Sequence, residues 1–282
     1  MYYLFITTIL WSFSFSLIGN FIAVEMNSWT LAFLRSLVAC IFFTPWINFK
    51  IPFDYVIKMI IIGALQIGIM YLLYLNSFNY ASVQKILLFT ITTPFYVFVI
   101  SQLFKGEFKL TSISIIIISI IGGFIIRMTS FDIADLKALL LVQAANICFA
   151  SGQVFYRRLK RYNKNNVNIN TDFAFFFIGA TFITLLGLIA SPYNYSNPKT
   201  IEQWLLILWL GGGASGVGYY LWNYGSTKVK VETLATMNNL VIPLGLFVDI
   251  IFFAGNHDFQ TLIIGTLIII SSIAASLKYT GN

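Results

Sequence analysis

Long apolar runs dominate the chain, and no soluble fold of this size could bury them all. Stretches of about 20 residues with few charges recur from one end to the other, and a helix of that length spans the hydrocarbon core of a bilayer. Of the 282 residues, 59% are hydrophobic and only 10% are charged, whereas soluble domains carry about 25% charged residues. We therefore expect an all-α membrane protein with lipid as its main solvent.

Ten apolar runs can be counted, separated by short polar connections. The longest connection, 159–171, is rich in asparagine and is expected to be flexible. An even number of spans places both termini on the same side of the membrane. The ten predicted transmembrane helices are 3–23, 28–48, 55–77, 82–104, 110–128, 137–158, 172–191, 203–225, 232–254 and 259–278.

Lysine and arginine are unevenly shared between the two sets of connections. With the N-terminus inside, the outer side holds only Lys85, Arg127, Lys137 and Lys199, and Arg35 lies within a span. Cytoplasmic connections carry an excess of these residues, so both termini are expected to be cytoplasmic. Topology also explains the net charge of +7, and no nucleic-acid partner is predicted. The inner set is Lys50, Lys58, Lys105, Lys109, Arg157, Arg158, Lys160, Arg161, Lys164, Lys228, Lys230 and Lys278.

The two halves of the chain resemble each other at a shift of about 148 residues. Tyr71 aligns with Tyr219 inside two segments that each contain a pair of helices joined by a tight polar turn. Five helices per half is an odd number, so the second half would enter the membrane upside down, as in the inverted repeats of transporters. We expect one repeat over 1–131 and the other over 132–282.

Two prolines occupy nearly matching positions in these segments. Pro94 lies in the fourth predicted helix and Pro243 in the ninth, at a shift of 149 residues. Proline lacks the N–H that a helix needs and leaves a backbone carbonyl free. Both prolines are therefore predicted hinge residues beside a site at the interface of the repeats.

Ionisable side chains inside a span are costly and usually mark functional sites. Arg35 lies in the second span, Lys85 near the outer start of the fourth, and Asp249 in the outer third of the ninth. Arg35 could bind a carboxylate through its planar donors. It could instead pair with Asp249 or Glu25, or bind helix carbonyls. Asp249 is either the ion-pair partner of Arg35 or Lys85, or a protonatable coupling site.

Side-chain amides form a second polar group within the predicted spans. Gln143 and Asn146 are three residues apart and so share one face of the sixth helix. Amides can bind both the donors and the acceptors of a polar ligand ring, or they can join neighbouring helices. The amides predicted to contact a substrate are Gln66, Gln143, Asn146, Asn223, Asn238 and Asn239.

Aromatic residues make up 17% of the chain. Many are expected at the lipid interface, but rings next to polar residues can enclose the apolar body of a ligand. The rings predicted to do so are Trp11, Tyr71, Tyr219 and Trp222. The nearby run "LGGGASGVGYY", 210–220, has no preceding strand and is no dinucleotide fingerprint; its small residues favour close helix packing or local unwinding.

Six stretches in order resemble the EamA-type permeases of the drug/metabolite transporter superfamily, and most of all the biotin uptake permeases within it. The resemblance covers nearly the whole chain and implies a carrier of the bacterial inner membrane that works by alternating access. It also implies biotin or a similar organic anion as substrate. Arg35, with its planar donors, is the residue expected to bind the carboxylate. The stretches are "TTILWSFSFSLIGNFIA", "GALQIGIMYLL", "LLFTITTPFYV", "LLVQAANICFASGQVFYRRL", "SGVGYYLWNYGSTKV" and "TLATMNNLVIPLGL".

Other functions stay open at this point. One alternative is an exporter of amino acids, amines or other metabolites, and another is a non-transporting membrane scaffold or subunit. No Ser/His/Asp set, paired carboxylate or phosphate loop occurs in a setting that supports catalysis, so neither an enzyme nor a cofactor is predicted. Cys40 and Cys148 lie in apolar segments and indicate neither a disulfide nor a metal site. A monomer and a homodimer are both compatible with the sequence.

Overall fold

The fold is helical throughout the part of the chain that the structure describes. A computed structural model describes residues 1–18, 26–104, 106, 108–126, 133–162, 167–192, 195–253 and 258–279. Its helices are α1 (Tyr2–Leu17), α2 (Ser28–Trp46), α3 (Phe53–Ser77), α4 (Val83–Leu103), α5 (Leu110–Ile126), α6 (Leu136–Tyr162), α7 (Ile169–Ala190), α8 (Ile201–Ser226), α9 (Val231–Phe253) and α10 (Phe259–Lys278).

Eight of these helices are long and apolar enough to cross a membrane, which makes the chain a multi-pass membrane protein. The other two, α1 and α5, are shorter apolar helices of 16 and 17 residues. The predicted spans 3–23 and 110–128 run at their C-terminal ends into residues outside the described ranges. A full crossing by α1 and α5 therefore stays a prediction.

The polar connection between α6 and α7 is shorter than the sequence predicts. The expected connection is 159–171, but α6 continues to Tyr162 and α7 already begins at Ile169. Lys160 holds the extended end of α6 in place, because its Nζ lies 2.7 Å from Oδ2 of Asp172 in the first turn of α7. Lys160, which the sequence places in a solvated loop, therefore contributes to the contact between α6 and α7.

Helices α3 and α8 each contain a π-helical turn. The turn covers Ala64–Ile69 in α3 and Trp209–Val217 in α8. A π turn shifts the backbone hydrogen bonds from the regular pattern and is often found at functional sites. The two helices therefore present backbone oxygens that side chains of neighbouring helices can reach.

Helices α4 and α9 are each interrupted shortly before a proline. α4 passes through a 3₁₀ turn over Thr90–Thr92 just before Pro94, and α9 is interrupted three residues before Pro243. Pro94 cannot donate to the carbonyl of Thr90, four residues earlier. That oxygen accepts a hydrogen bond from Oγ1 of Thr93 instead, at 2.7 Å. Movement at the two prolines stays a prediction.

Glycines bring α3 and α7 into direct backbone contact. A Cβ on Gly179 would lie 2.0 Å from the carbonyl oxygen of Ile60, and one on Gly63 would lie 1.8 Å from that of Phe176. Lipid provides no hydrophobic force that would drive helices together, so close packing of small residues supplies much of the association energy. These two glycines set the distance between α3 and α7.

Gly179→Ala should destabilise the helix bundle, because the added methyl group cannot fit without separating α3 from α7. Overpacking of this kind costs about 1–3 kcal/mol, so the midpoint of thermal unfolding in detergent should fall. Gly212→Ala is the matched control, since no atom lies within 4 Å of a Cβ at Gly212. Equal midpoints for the two variants would contradict the packing described here.

Candidate functional site

A cavity of about 110 Å³ lies between seven helices, beside the interruptions of α4 and α9. Its wall is mostly apolar and aromatic, with a few polar side chains, which is the usual composition of a small-molecule site. Helices α1, α2, α3, α4, α6, α8 and α9 all contribute to it. The predicted site residues in its wall are Trp11, Arg35, Tyr71, Asn146, Tyr219, Trp222 and Asn238.

A chain of hydrogen bonds orients Arg35, the cation in the wall, which is 4% exposed. Its Nη2 donates to Oη of Tyr71 at 3.1 Å, and its guanidinium carbon lies 4.5 Å from the centre of the Tyr71 ring. Oγ of Ser215 donates to the carbonyl oxygen of Leu210 at 2.7 Å. The Tyr71 hydroxyl therefore donates to Ser215, also at 2.7 Å. This series of hydrogen bonds ends at the carbonyl of Leu210, in the π turn of α8.

Most donors of Arg35 are left for another partner. A guanidinium has five N–H donors, but Arg35 makes one side-chain hydrogen bond and its Nε is buried without a partner. No carboxylate in the described ranges forms an ion pair with Arg35. The alternative in which Arg35 pairs with Asp249 is thus not seen among the described residues, and Glu25 lies outside them. Burying an uncompensated charge is costly, so this cavity is electrostatically suited to an anion.

Aromatic rings form a cluster on the cavity wall around Trp11. The Trp11 ring lies 5.0 Å from that of Trp222 and 5.1 Å from that of Tyr219. Phe149 lies 5.7 Å from Trp11 and was not among the predicted residues. Its position three residues after Asn146, on the same face of α6, was the available signal.

The glycine-rich run of α8 lets these side chains approach its backbone. Nε1 of Trp11 donates to the carbonyl oxygen of Ala214 at 2.9 Å, within the π turn. A Cβ on Gly218 would lie 2.8 Å from that indole nitrogen, and one on Gly211 would lie 3.0 Å from the backbone oxygen of Arg35. The run thus combines close packing with local unwinding, the two alternatives that its sequence suggests.

Two of the predicted amides, Asn146 and Asn238, reach the cavity. Nδ2 of Asn146 donates to the carbonyl oxygen of Phe89 at 3.0 Å and to Oγ1 of Thr92 at 3.2 Å. Its Oδ1 remains available as an acceptor. Asn238 uses both amide atoms within the protein, and its Oδ1 accepts from Nε2 of Gln153 at 3.4 Å. Asn146 is therefore the amide with free capacity for a ligand.

Gln66 and Asn223 pair with each other instead of lining the cavity. Nε2 of Gln66 lies 3.2 Å from Oδ1 of Asn223, and Nδ2 of Asn223 lies 3.1 Å from Oε1 of Gln66. Both side chains are fully buried. This reciprocal pair joins α3 to α8, so the structure gives it a structural role in place of the predicted substrate contact.

Gln143 and Asn239 support the interruption of α4 and also lie outside the cavity wall. Nε2 of Gln143 donates to the carbonyl oxygen of Phe89 at 2.9 Å, and so shares this acceptor with Asn146. Nδ2 of Asn239 donates to the carbonyl oxygen of Ile91 at 3.2 Å. Backbone groups within a membrane must be satisfied by the protein. These two amides meet that need, in place of the predicted contact with substrate.

Lys85 forms an ion pair with Asp135, which was not among the predicted partners. Its Nζ lies 2.6 Å from Oδ2 of Asp135, immediately before α6, and Asp135 is buried. Asp249 is half-buried in α9 and does not line the cavity. A coupling role for Asp249 stays a prediction.

A buried carboxylate that was not among the predicted site residues, Asp172, lies at the start of α7. Oη of Tyr55 donates to its Oδ1 at 2.5 Å, and Oη of Tyr156 donates to its Oδ2 at 3.3 Å. Lys160 supplies the counter-ion. The position of Asp172 as the first residue of the predicted span 172–191 was a signal, but it also fits a hydrated helix end. The burial and the two tyrosines appear only in the fold.

Comparison with known proteins identifies the family. The sequence model of the EamA-like transporter family matches residues 1–128 and again 136–277. The chain belongs to the EamA-like transporter family. It is therefore a membrane transporter with a small-molecule substrate rather than an enzyme, and its cavity lies where seven of its helices meet.

Bacterial relatives align with this transporter over nearly its whole length. It is 34% identical over 274 residues to a "Probable biotin transporter" of Pseudomonas aeruginosa, covering 97% of this chain and 96% of the relative. It is 34% identical over 278 residues to the "Biotin transporter" of Escherichia coli K12, covering 98% and 92%. The protein of the same name from Salmonella typhimurium is 34% identical over 281 residues, with coverage of 98% and 92%.

A crystal structure of another protein shares the fold of this transporter. The two chains superpose with a TM-score of 0.77, over 98% of this chain and 97% of the other. Their sequence identity is 16%. The helical arrangement is therefore shared well beyond the range of close sequence similarity.

Gln66→Leu should destabilise the transporter more than the double variant Gln66→Leu/Asn223→Leu. The single variant leaves the Asn223 amide buried without its partner, which costs about 1–3 kcal/mol. Unfolding in detergent would measure the free energy of unfolding for the wild type and both variants. We expect the folded double variant to retain its affinity for substrate, because neither side chain lines the cavity. A large loss of affinity at wild-type stability would contradict the structural role.

Proposed function

We propose that this transporter takes up biotin, or a similar small organic anion with a polar ring. The observation that carries the proposal is a mostly apolar cavity with Arg35 in its wall and most donors of that guanidinium unused. The relatives named biotin transporters support it through 34% identity over nearly the full chain. Biotin combines a carboxylate, an alkyl chain and a ureido ring, and the cavity offers a partner for each.

Arg35 is the proposed partner of the carboxylate. A guanidinium presents a planar pair of donors that matches the two carboxylate oxygens. The bond to Tyr71 holds one edge of the group in place, so little conformational freedom is lost when the anion binds. Charges attract strongly in a dry cavity and weakly in water. Opening the cavity to solvent would therefore weaken the pair and release the anion.

The wall formed by α4, α6 and α9 is the proposed site of the polar ring. Asn146 supplies an acceptor for a ureido N–H, and the hydroxyls of Thr90 and Thr93 line the same cavity. Asn238 completes this wall. The oxygens of Asn146 and of the two hydroxyls can accept hydrogen bonds from the two N–H groups of the ureido ring.

The aromatic cluster is the proposed enclosure for the apolar part of the substrate. Trp11, Phe149, Tyr219 and Trp222 stand within 6.5 Å of one another, centre to centre, in the measured ring pairs. Aromatic and aliphatic walls of this kind bury most of the surface of a small ligand. They also exclude water from the carboxylate pair.

We also propose ten transmembrane helices in two inverted five-helix repeats, 1–131 and 132–282. The family model matches the chain twice, over 1–128 and 136–277, which supports this division. The matching π turns of α3 and α8, and the matching interruptions of α4 and α9, support it as well. Repeats of this kind are related by a pseudo-two-fold axis in the membrane plane, so one structure can open toward either side of the membrane.

Alternating access follows from that arrangement. The interruptions of α4 and α9 border the cavity, and each precedes a proline, Pro94 or Pro243. A bend at one of them would open one side of the cavity, and a bend at the other would open the opposite side. In hinge motions of this kind, a few residues at the ends of elements absorb the change in backbone dihedral angles.

We place both termini on the cytoplasmic side of the bacterial inner membrane. The ring of Tyr3 packs 4.8 Å from that of Tyr224, and Nζ of Lys230 donates to the carbonyl oxygen of Tyr279. Both described ends of the chain therefore adjoin the α8–α9 turn. Most lysines and arginines belong to the same side by the count above, and this favours the cytoplasm. One chain builds the whole cavity, so a monomer suffices and a homodimer would hold two cavities.

Arg35→Ala should lower the uptake of labelled biotin by about 10- to 100-fold at low concentration, because a hydrogen-bonded charge is worth about 1.5–3 kcal/mol. The assay uses a biotin-requiring host without its own transporter, at matched membrane levels of each variant. Lys58→Ala is the control, since Lys58 is an exposed cation paired with Asp54. Arg35→Lys should keep part of the uptake.

The possible results of this uptake assay test the identity of the substrate and the role of Arg35 independently. Saturable uptake that survives Arg35→Ala would return this residue to a structural role. No uptake by well-expressed wild type would reject biotin, and loss of preloaded substrate from the cells would indicate an exporter. Activity of the purified chain in liposomes would exclude a non-transporting subunit.

Phe149→Ala should raise the concentration of biotin needed for half-maximal uptake about two- to tenfold, because aromatic pairs contribute about 0.5–1.5 kcal/mol beyond area burial. Phe95→Ala is the matched control, since Phe95 lies on the outside of the bundle and is 49% exposed. Initial uptake rates over a range of biotin concentrations give the comparison. Equal effects of the two variants would remove Phe149 from the site.

A further inference from the structure

A second, larger cavity lies at the end of the bundle that we place in the cytoplasm. It has a volume of about 720 Å³ and is bounded by the ends of α4 and α6, the start of α7 and the α8–α9 turn. It shares no lining residue with the central cavity. Its wall holds five cations: Arg157, Arg158, Lys160, Arg161 and Lys228.

Two of these cations are engaged in holding the protein together. Arg157 donates to the carbonyl oxygen of Ser226 and, at 2.9 Å, to that of Val229. It thereby fastens α6 to the α8–α9 turn. Lys160 is paired with the buried Asp172. Neither is available for a ligand without loss of a structural contact.

The other three cations have no such engagement. Within the described ranges, Arg158, Arg161 and Lys228 form no ion pair with a carboxylate. The guanidinium of Arg158 lies over the rings of Phe104 and Tyr162, 4.4 Å and 5.2 Å from their centres. Like charges around one cavity repel each other, and an anion bound between them would turn this repulsion into attraction.

We propose that this basic cavity binds the phosphate-bearing headgroup of an anionic phospholipid. Several arginines around one space match the oxygens of a phosphate, and basic pockets between membrane helices on the cytoplasmic side suit anionic headgroups. The cavity lies at the ends of apolar helices, the level of the headgroups. Phe104 and Tyr162 at its rim are 45% and 65% exposed, as interfacial aromatic residues are, and can contact the acyl chains.

The bound headgroup would connect helix ends from both proposed repeats. α4 belongs to the first repeat, whereas α6 and the α8–α9 turn belong to the second, and all three border the cavity. A ligand that binds one arrangement of these ends stabilises that arrangement, and the stabilisation grows with the logarithm of its concentration once this exceeds the Kd. This proposed lipid site does not depend on which substrate is transported, because none of its residues lines the central cavity.

The test measures lipid binding to the purified full-length chain by native mass spectrometry, with thermal unfolding as a second readout. The lipids are cardiolipin, phosphatidylglycerol and zwitterionic phosphatidylethanolamine. The triple variant Arg158→Gln/Arg161→Gln/Lys228→Gln removes the available cations. Lys50→Gln/Lys58→Gln/Lys278→Gln removes the same charge from exposed positions on the same side.

We expect the cavity variant to bind the two anionic lipids more than about tenfold more weakly than wild type, since each nearby cation contributes strongly to such binding. The control variant should stay within about threefold of wild type. Equal losses in both variants would show non-specific surface attraction and overturn the proposal. So would equally tight binding of phosphatidylethanolamine by the wild type.

A competition experiment on the wild-type protein tests the proposal even if the cavity variant fails to fold. It measures how well soluble compounds displace the bound anionic lipid. Soluble glycerophosphate should displace the anionic lipid only at far higher concentration, because it lacks the acyl chains. Displacement at equal concentration would identify a soluble phosphate as the ligand of the cavity and overturn the proposal that a phospholipid binds there. Displacement by biotin would identify a second substrate site and overturn the proposal as well.

Discussion

A bilayer offers no hydrogen-bond partner to a backbone carbonyl, so each one must find a donor within the protein. This requirement organises the centre of the transporter, where α3, α4, α8 and α9 depart from regular helix. In α8, the carbonyl of Ala214 accepts from Trp11 and that of Leu210 accepts from Ser215. In α4, the carbonyl of Phe89 accepts from two amides of α6. The irregular parts of α4 and α8 are thus completed by side chains.

The same side chains that complete the helices also form the cavity. Asn146 uses its amide nitrogen on α4 and leaves its oxygen to the cavity. Trp11 uses its indole N–H on α8 and presents its ring to the other aromatic residues. Arg35 is linked through Tyr71 and Ser215 to the π turn of α8. A ligand that moves any of these groups would act directly on the interrupted backbone, which connects substrate binding with the helices proposed to bend.

The cations of this protein differ in whether a carboxylate of the fold pairs with them, and those without such a partner can bind an external anion. Lys85 and Lys160 each have a buried aspartate as partner, so their charge is compensated inside the fold. Arg35 has a tyrosine hydroxyl and ring but no carboxylate in the described ranges. Arg158 likewise lies on aromatic rings. Aromatic contacts hold a guanidinium without neutralising it, so these cations keep their attraction for an external anion.

Apolar length, Lys and Arg placement and a repeated pattern were enough to predict a helical membrane transporter, because these features reflect the solvent around each segment. The rarity of charge within a span also pointed to Arg35, and the choice of rings beside polar residues pointed to Trp11, Tyr71, Tyr219 and Trp222, all of which line the cavity. These sequence features could not separate Asn146 from Gln66, although both are amides within a span. A helix face indicates a direction, whereas the partner found in that direction depends on how neighbouring helices are displaced along each other. That displacement follows from contacts such as Gly179 on Ile60, and it also decides that Lys85 meets Asp135 and that two tyrosines surround Asp172.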